Sequence, residues 1–351
     1  MPGPITDRVR RRDLLARLGA VAGVGFGAGC GDALDSADEG ERHEEVDGCE
    51  ASPIEPGVDL PNADLTDCDL SAAALGGARL PNANLDGVDL RTADLSGANL
   101  TGADLTGASL RSATLAGTIL ESATLTGTEL TYAKLPEARL TRANFEGADL
   151  RFTDVREAIL IGTDLTDATL IDARLTDAIA RDVRLETATL KFAKLQRALL
   201  LDADLRGADL QFADLTSATL RDATLVDARL ANASLANADA RDATLESADL
   251  SGVYALHADL SDANLRSVGA IEADFRDATL RRTTLVSADL RRADLRGADL
   301  EGARLEFADL RDADLWEAAL TSAELFAVDL RGARWVDGTE CETMDCGGRA
   351  Y

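Results

Sequence analysis

Five cysteines and two histidines are the residues in this 351-residue chain that could do nucleophilic, redox or metal chemistry. The histidines, His43 and His257, lie far from each other, His43 in an acidic segment and His257 at an outward position of a five-residue repeat. They leave little material for a His-based triad or a zinc centre. Cys341 and Cys346 form a C-x4-C pair without the second pair that a zinc site wants. Carboxylates are abundant, but they recur with the regularity of a repeat and do not single out an acid/base dyad. There is no phosphate-binding Gly-rich loop before a helix. No enzyme activity, cofactor or metal is expected. The cysteines are better suited to covalent anchoring and disulfides.

Cys30 ends a segment with the features of an export signal. Arg10, Arg11 and Arg12 precede Asp13-Leu14-Leu15, and a weakly apolar Gly/Ala stretch runs to Ala28 and Gly29. A basic region, a short apolar region and small residues at a cleavage site mark export. The Arg11-Arg12-Asp13-Leu14-Leu15 string resembles a twin-arginine signal. Ala28, Gly29 and Cys30 resemble a lipobox, in which the Cys is lipidated and becomes the mature N-terminus; Gly27 departs from it, where a bulkier aliphatic is usual. Residues 1–30 are therefore expected to be an export signal, with Cys30 as the lipid anchor in the membrane. Residues 31–57 follow as an acidic, self-repelling tether. The expected location is the cell envelope, on the extracytoplasmic side.

Sixty-three Asp and Glu stand against 36 Lys and Arg, a net charge of −27. Such acidity argues against direct nucleic-acid binding, which draws on basic contacts with phosphates. Only Lys134, Lys191 and Lys194 are lysines. This bias fits a surface adapted to high salt, and equally a genome whose codons favour Arg. About ten units of negative charge belong to the tether and about 17 to residues 60–335.

The elements that position everything else repeat every five residues. From residue 60 to 335 each fifth position is apolar without one insertion; Leu fills 48 of the 56, and the exceptions are Phe145, Val155, Ala180, Ala240, Ala255, Ala270, Phe275 and Trp335. Two residues earlier in each pentad stands Ala, or else Val, Thr or Cys68. On a helix a five-residue step advances 140°, so Leu would spiral around and form no stripe. In an extended segment, residues two apart share a face. Five is odd, so the alternation must break once per pentad. A bend after each short strand keeps both columns inward and winds the chain into a coil of parallel strands. Stacking then supplies the core that one unit lacks.

Pentads such as Ala98-Asn99-Leu100 and Ala208-Asp209-Leu210 read A-[D/N]-L-x-x, and here the chain resembles the pentapeptide-repeat family. The resemblance covers residues 58–335. It implies an all-β fold, a right-handed quadrilateral parallel β-helix with four pentads per coil. About 14 coils at about 4.8 Å give a rod of about 65–70 Å. It implies little about function, which is separable from fold. Some members resemble a DNA rod in size and charge and bind type II topoisomerases, protecting them from quinolone drugs. This chain shares the rod and the acidity. It departs in its export signal and in lacking the loop insertions of some such members.

With a 20-residue coil, outward residues form columns. Ile159, Ile179 and Leu199 stack, with Ile161 and Leu201 at the same corner and Ile119 two coils before. They are expected to be exposed aliphatics of an association surface. Tyr132, Phe152, Phe192 and Phe212 form a second column, interrupted by Asp172. Asp289, Asp309 and Asp329 stack with Arg291, Arg311 and Arg331 two residues along. Inside, Ala255 under Phe275 is a compensating pair, whereas Ala180 and Ala240 predict small voids or local tightening. At the ends, Cys49 could bridge to Cys68, and Cys341 to Cys346 in the 336–351 tail. Pro53 and Pro56 would blunt the first edge. A protein partner and self-association are the interactions expected; the sequence names neither.

Overall fold

The computed structural model describes residues 56–66 and 68–348. The export signal with Cys30, most of the acidic tether, His43, Cys49 and Pro53 lie outside the described residues.

Each pentad uses its backbone in the same way, and the one at Ala98 shows how. Ala98 N–H closes a turn onto Leu95 O at 2.9 Å; Asn99 N–H reaches back one coil to Ala78 O at 2.8 Å. Leu100 N–H and Gly102 N–H reach forward one coil to Ile119 O at 2.7 Å and Glu121 O at 2.9 Å. That leaves Thr101 N–H, which donates to the Asn99 side chain at 3.0 Å. All five donors are satisfied, as buried or half-buried backbone requires. Where Asp or Asn precedes the Leu, as here, its side chain can cap the one amide that the ladder omits.

The residue two past each Leu takes a positive φ, near +60°, whether it is Gly102 or Phe152. With the i to i+3 hydrogen bond, this is the pattern of a type II turn, which accepts Pro at its second position. Pro61, Pro81 and Pro136 stand at that position. Proline has no N–H to cap, and the residues before Leu60, Leu80 and Leu135 are Asp59, Arg79 and Lys134.

Parallel bridges at 20-residue spacing run from Asp59–Arg79 to Asp314–Arg334. Four pentads therefore make one coil, and the strands are so short that each pairs through a single bridge. The ladder already begins at Gly57, whose N–H donates to Gly76 O at 2.8 Å. The Leu and Ala columns are buried along the rod, forming one continuous core. Buried Thr residues at Ala positions satisfy their hydroxyls on Leu carbonyls: Thr118 on Leu95 O at 2.8 Å, Thr153 on Leu150 O at 2.7 Å. Ala255 and Phe275 are both buried, one coil apart. Ala180 and Ala240 keep ordinary ladder bonds, to Leu199 O at 2.8 Å and Asp259 O at 2.7 Å. Backbone pairing sets these rungs, whatever the size of the interior side chain.

Candidate functional site

With the interior filled, chemistry is confined to the outer columns and the ends. The aliphatic column is in register as expected, through the Ile159–Ile179 and Ile179–Leu199 bridges, with Arg139 between Ile119 and Ile159. Its exposure differs from expectation. Ile119, Ile159, Ile179, Leu199 and Leu201 are half-buried, and only Ile161 is exposed, at 37%. The cause is the ladder itself: each side chain is covered by its neighbours at strand spacing. Ile159, Ile179 and Leu199 are direct neighbours in the ladder, whereas Arg181 stands between Ile161 and Leu201.

The aromatic column is more open. Tyr132, Phe152, Phe192 and Phe212 are 53%, 43%, 47% and 49% exposed. Tyr132 stacks on Phe152 at 4.9 Å and 10°, and Phe192 on Phe212 at 5.1 Å and 9°. Asp172 separates the two pairs and makes no side-chain hydrogen bond or ion pair among the described residues. The aromatic column lies two pentads from the aliphatic one, so the two occupy opposite sides of the four-sided coil. They are separate surfaces.

The charged columns form a zipper. Arg291 pairs with Asp289 at 2.6 Å and approaches Asp309 of the next coil at 3.7 Å; Arg311 repeats this with Asp309 at 2.6 Å and Asp329 at 3.8 Å. The stacked carboxylates are thereby interleaved with Arg. The Arg311 hydrogen bond holds the Asp309 carboxyl below the usual carboxylate range, against the cost of desolvation. Asp239 and Asp329 are lowered in the same way by Arg241 and Arg331. His257 sits at an exposed turn position.

The two ends differ. Cys68 is buried and disulfide-bonded; the pairing with Cys49 falls on a residue outside the described ones. Cys341 and Cys346 form a disulfide with Cα atoms 4.6 Å apart, and both are buried. This tail folds back over the last coil. Arg334 pairs antiparallel with Glu340, Gly332 N–H donates to Cys341 O at 2.8 Å, and Leu330 N–H to Met344 O at 3.0 Å. Arg334 also lies over the Trp316 ring at 4.7 Å.

The tail covers only the sides of Leu330 and Trp335. Leu320 and Leu325, members of the interior column, are half-exposed. Beside them opens a groove of about 890 Å³, whose lining includes Val286, Glu306, Phe307, Phe326 and Trp335. Sequence reasoning missed this groove. Leu320 and Leu325 carry the same pentad signature as buried Leu; the signal was their position in the last 20 residues of the repeat, where no further coil covers them.

A stacked-strand solenoid with a filled interior and a patterned outer surface defines a class of scaffold. Eight copies of the family model described as pentapeptide repeats match residues 63–102, 108–147, 123–160, 148–186, 184–222, 223–255, 258–297 and 298–334. The chain belongs to the pentapeptide-repeat family, whose fold is the right-handed quadrilateral β-helix and whose members are generally non-enzymatic structural or interaction proteins. Among solved structures it is similar to HetL, a pentapeptide repeat protein involved in heterocyst differentiation regulation from the cyanobacterium Nostoc. The identity is 37%, over 65% of this chain and 91% of that one, with a TM-score of 0.31. It is also similar to full-length QnrB1, a plasmid-mediated fluoroquinolone resistance protein, at 18% identity over 60% of this chain and 83% of that one, with a TM-score of 0.25. Rfr23, a pentapeptide repeat protein from the cyanobacterium Cyanothece, is 30% identical over 39% of this chain and 80% of that one, with a TM-score of 0.15. No curated protein matches the chain.

Proposed function

We propose that this protein is a non-catalytic rod of about 14 coils, exported and lipid-anchored through Cys30, that acts as an interaction or structural protein of the cell envelope. The observation that carries this reading is the division of labour in the repeat. Leu and Ala columns fill the interior, so side chains free to recognise a partner stand on the outside and at the open end. The basic segment, the small residues before Cys30 and the acidic tether support export and anchoring. One acyl chain binds a membrane marginally, so stable anchoring draws on a second signal. The test is mass spectrometry of the mature N-terminus from the fractionated native host. A lipid-modified Cys30 in the membrane fraction is expected. An intact Met1 or Pro2 terminus in the cytoplasm would sink the reading.

The net acidity of the rod favours a second reading, an acidic nucleic-acid mimic that engages a type II topoisomerase. The zipper weakens it, because Asp289, Asp309 and Asp329 are already paired with Arg291, Arg311 and Arg331. An export signal would also part it from such a target. A titration that leaves gyrase supercoiling unchanged removes this alternative.

A further inference from the structure

We infer that the uncovered half of the C-terminal end is a docking site for one extended segment of a partner protein, apolar with a basic residue, which adds as a short strand beside the tail. In every coil below, the Leu amide and the amide two residues on donate to the next coil, as Leu305 does to Glu324 O and Phe307 to Phe326 O. At the last coil Leu320, Ser322, Leu325 and Ala327 have no such acceptor among the described residues. Ala323 O is left open too, whereas Ala303 O one coil earlier accepts from Glu324 N–H. Ala323 O, Leu325 N–H and Ala327 N–H, within one five-residue stretch, make an edge that an extended main chain can pair.

The side chains ask for the same occupant. Leu320 and Leu325 are half-exposed beside Phe326, which is 61% exposed. These offer pockets for apolar side chains of the incoming strand. Glu306 lines the groove with Arg266, Arg304 and Glu324; its Oε2 is buried and has no hydrogen-bond partner among the described residues, while Arg304 holds its other oxygen at 2.9 Å. A basic side chain of the segment supplies the missing donor.

A second copy meeting end to end fits less well. The tail over Leu330 and Trp335 occupies two of the four sides and stands above the rim. Two rods cannot meet flush, whereas a single strand, about 4.8 Å wide, fits beside it. This site rests on the reading of the rod as an interaction protein but not on its export, so peptide binding and the N-terminal mass fail separately.

The test uses the full chain and the probe peptide acetyl-Lys-Leu-Val-Val-amide, followed by the fluorescence of Trp335 in the groove. Saturable binding is expected. An analogue N-methylated along its backbone should bind about tenfold or more weaker, since it loses main-chain donors. Replacing the probe's Lys with norleucine should weaken binding to the native chain but not to the Glu306→Gln variant. Leu325→Asp should abolish binding. Equal affinity for the N-methylated analogue, or no saturable binding, would overturn the inference. So would a concentration-dependent dimer that must dissociate before the probe binds.

Discussion

Arg311 grips Asp309 of its own pentad at 2.6 Å and leans toward Asp329 of the next coil at 3.8 Å. Each Arg therefore closes a turn and links two coils. The depressed carboxyls set a pH dependence with a definite sign. A carboxyl whose folded pKa lies below its unfolded value stabilises the fold above the unfolded pKa, about 3.9 for Asp. That stability is lost as pH falls through the folded pKa. Thermal midpoints should hold from neutral pH down to about pH 4 and drop below it. The Asp309→Asn, Asp329→Asn double variant should show a shallower drop. An identical acid limb in the variant would exclude these pairs as its source.

The cap on the leftover amide is separable from the ladder. Asp249 accepts from Ser251 N–H at 3.0 Å in a half-buried setting. Asp249→Ala should cost about 0.5–1.5 kcal/mol, the net worth of one hydrogen bond. Arg79→Ala, which precedes Pro81 and caps nothing, should be near neutral. Chemical denaturation of the two variants checks the difference.

Interior Leu has no redundancy, because each coil is filled. Leu200→Ala should lower stability by about 2–5 kcal/mol through lost burial and the cavity left behind. A loss under about 1 kcal/mol would indicate a loosely packed interior.

The gap in the aromatic column offers a gain. Asp172→Phe places a ring between the Tyr132–Phe152 and Phe192–Phe212 stacks. Position 172 already has φ +57°, as Phe152 has φ +59°. The ring should stabilise the rod by about 0.5–1.5 kcal/mol per new aromatic contact. An unchanged or lower melting midpoint would show that the column does not stack as a unit.

The C-terminal disulfide holds the tail on the last coil. Cys341→Ser with Cys346→Ser should raise hydrogen exchange at Leu330 and Gly332, whose amides donate to the tail. Amides near Leu200 should be unaffected, since a solenoid couples mainly to its nearest neighbours.

The repeat was legible because Leu100 and Leu120 differ by a whole number of pentads and must stack once the chain bends every five residues. The disposition of outward columns followed from the same arithmetic. What a period cannot convey is environment. Ile159 and Ile161 look alike in sequence, yet strand neighbours cover the first and a corner exposes the second. Asp249 reads as consensus, and only the hydrogen-bond ledger of its pentad shows that it caps Ser251. Leu325 repeats the signature of Leu305, but no further coil covers it. The groove at the C-terminal end therefore arises from where the repeat stops.

Distances along one outward column test the central claim, one coil every 20 residues, most directly. Thr114, Asp214 and Arg334 belong to a single column, through consecutive bridges such as Thr114–Lys134 and Asp314–Arg334. Bio-orthogonal spin labels at 114 and 214, five coils apart, should lie about 24 Å apart, and at 114 and 314 about 48 Å. A doubling of the distance with a doubling of the sequence interval is the predicted result. Distances that fail to grow with coil number would contradict the rod and every site derived from it.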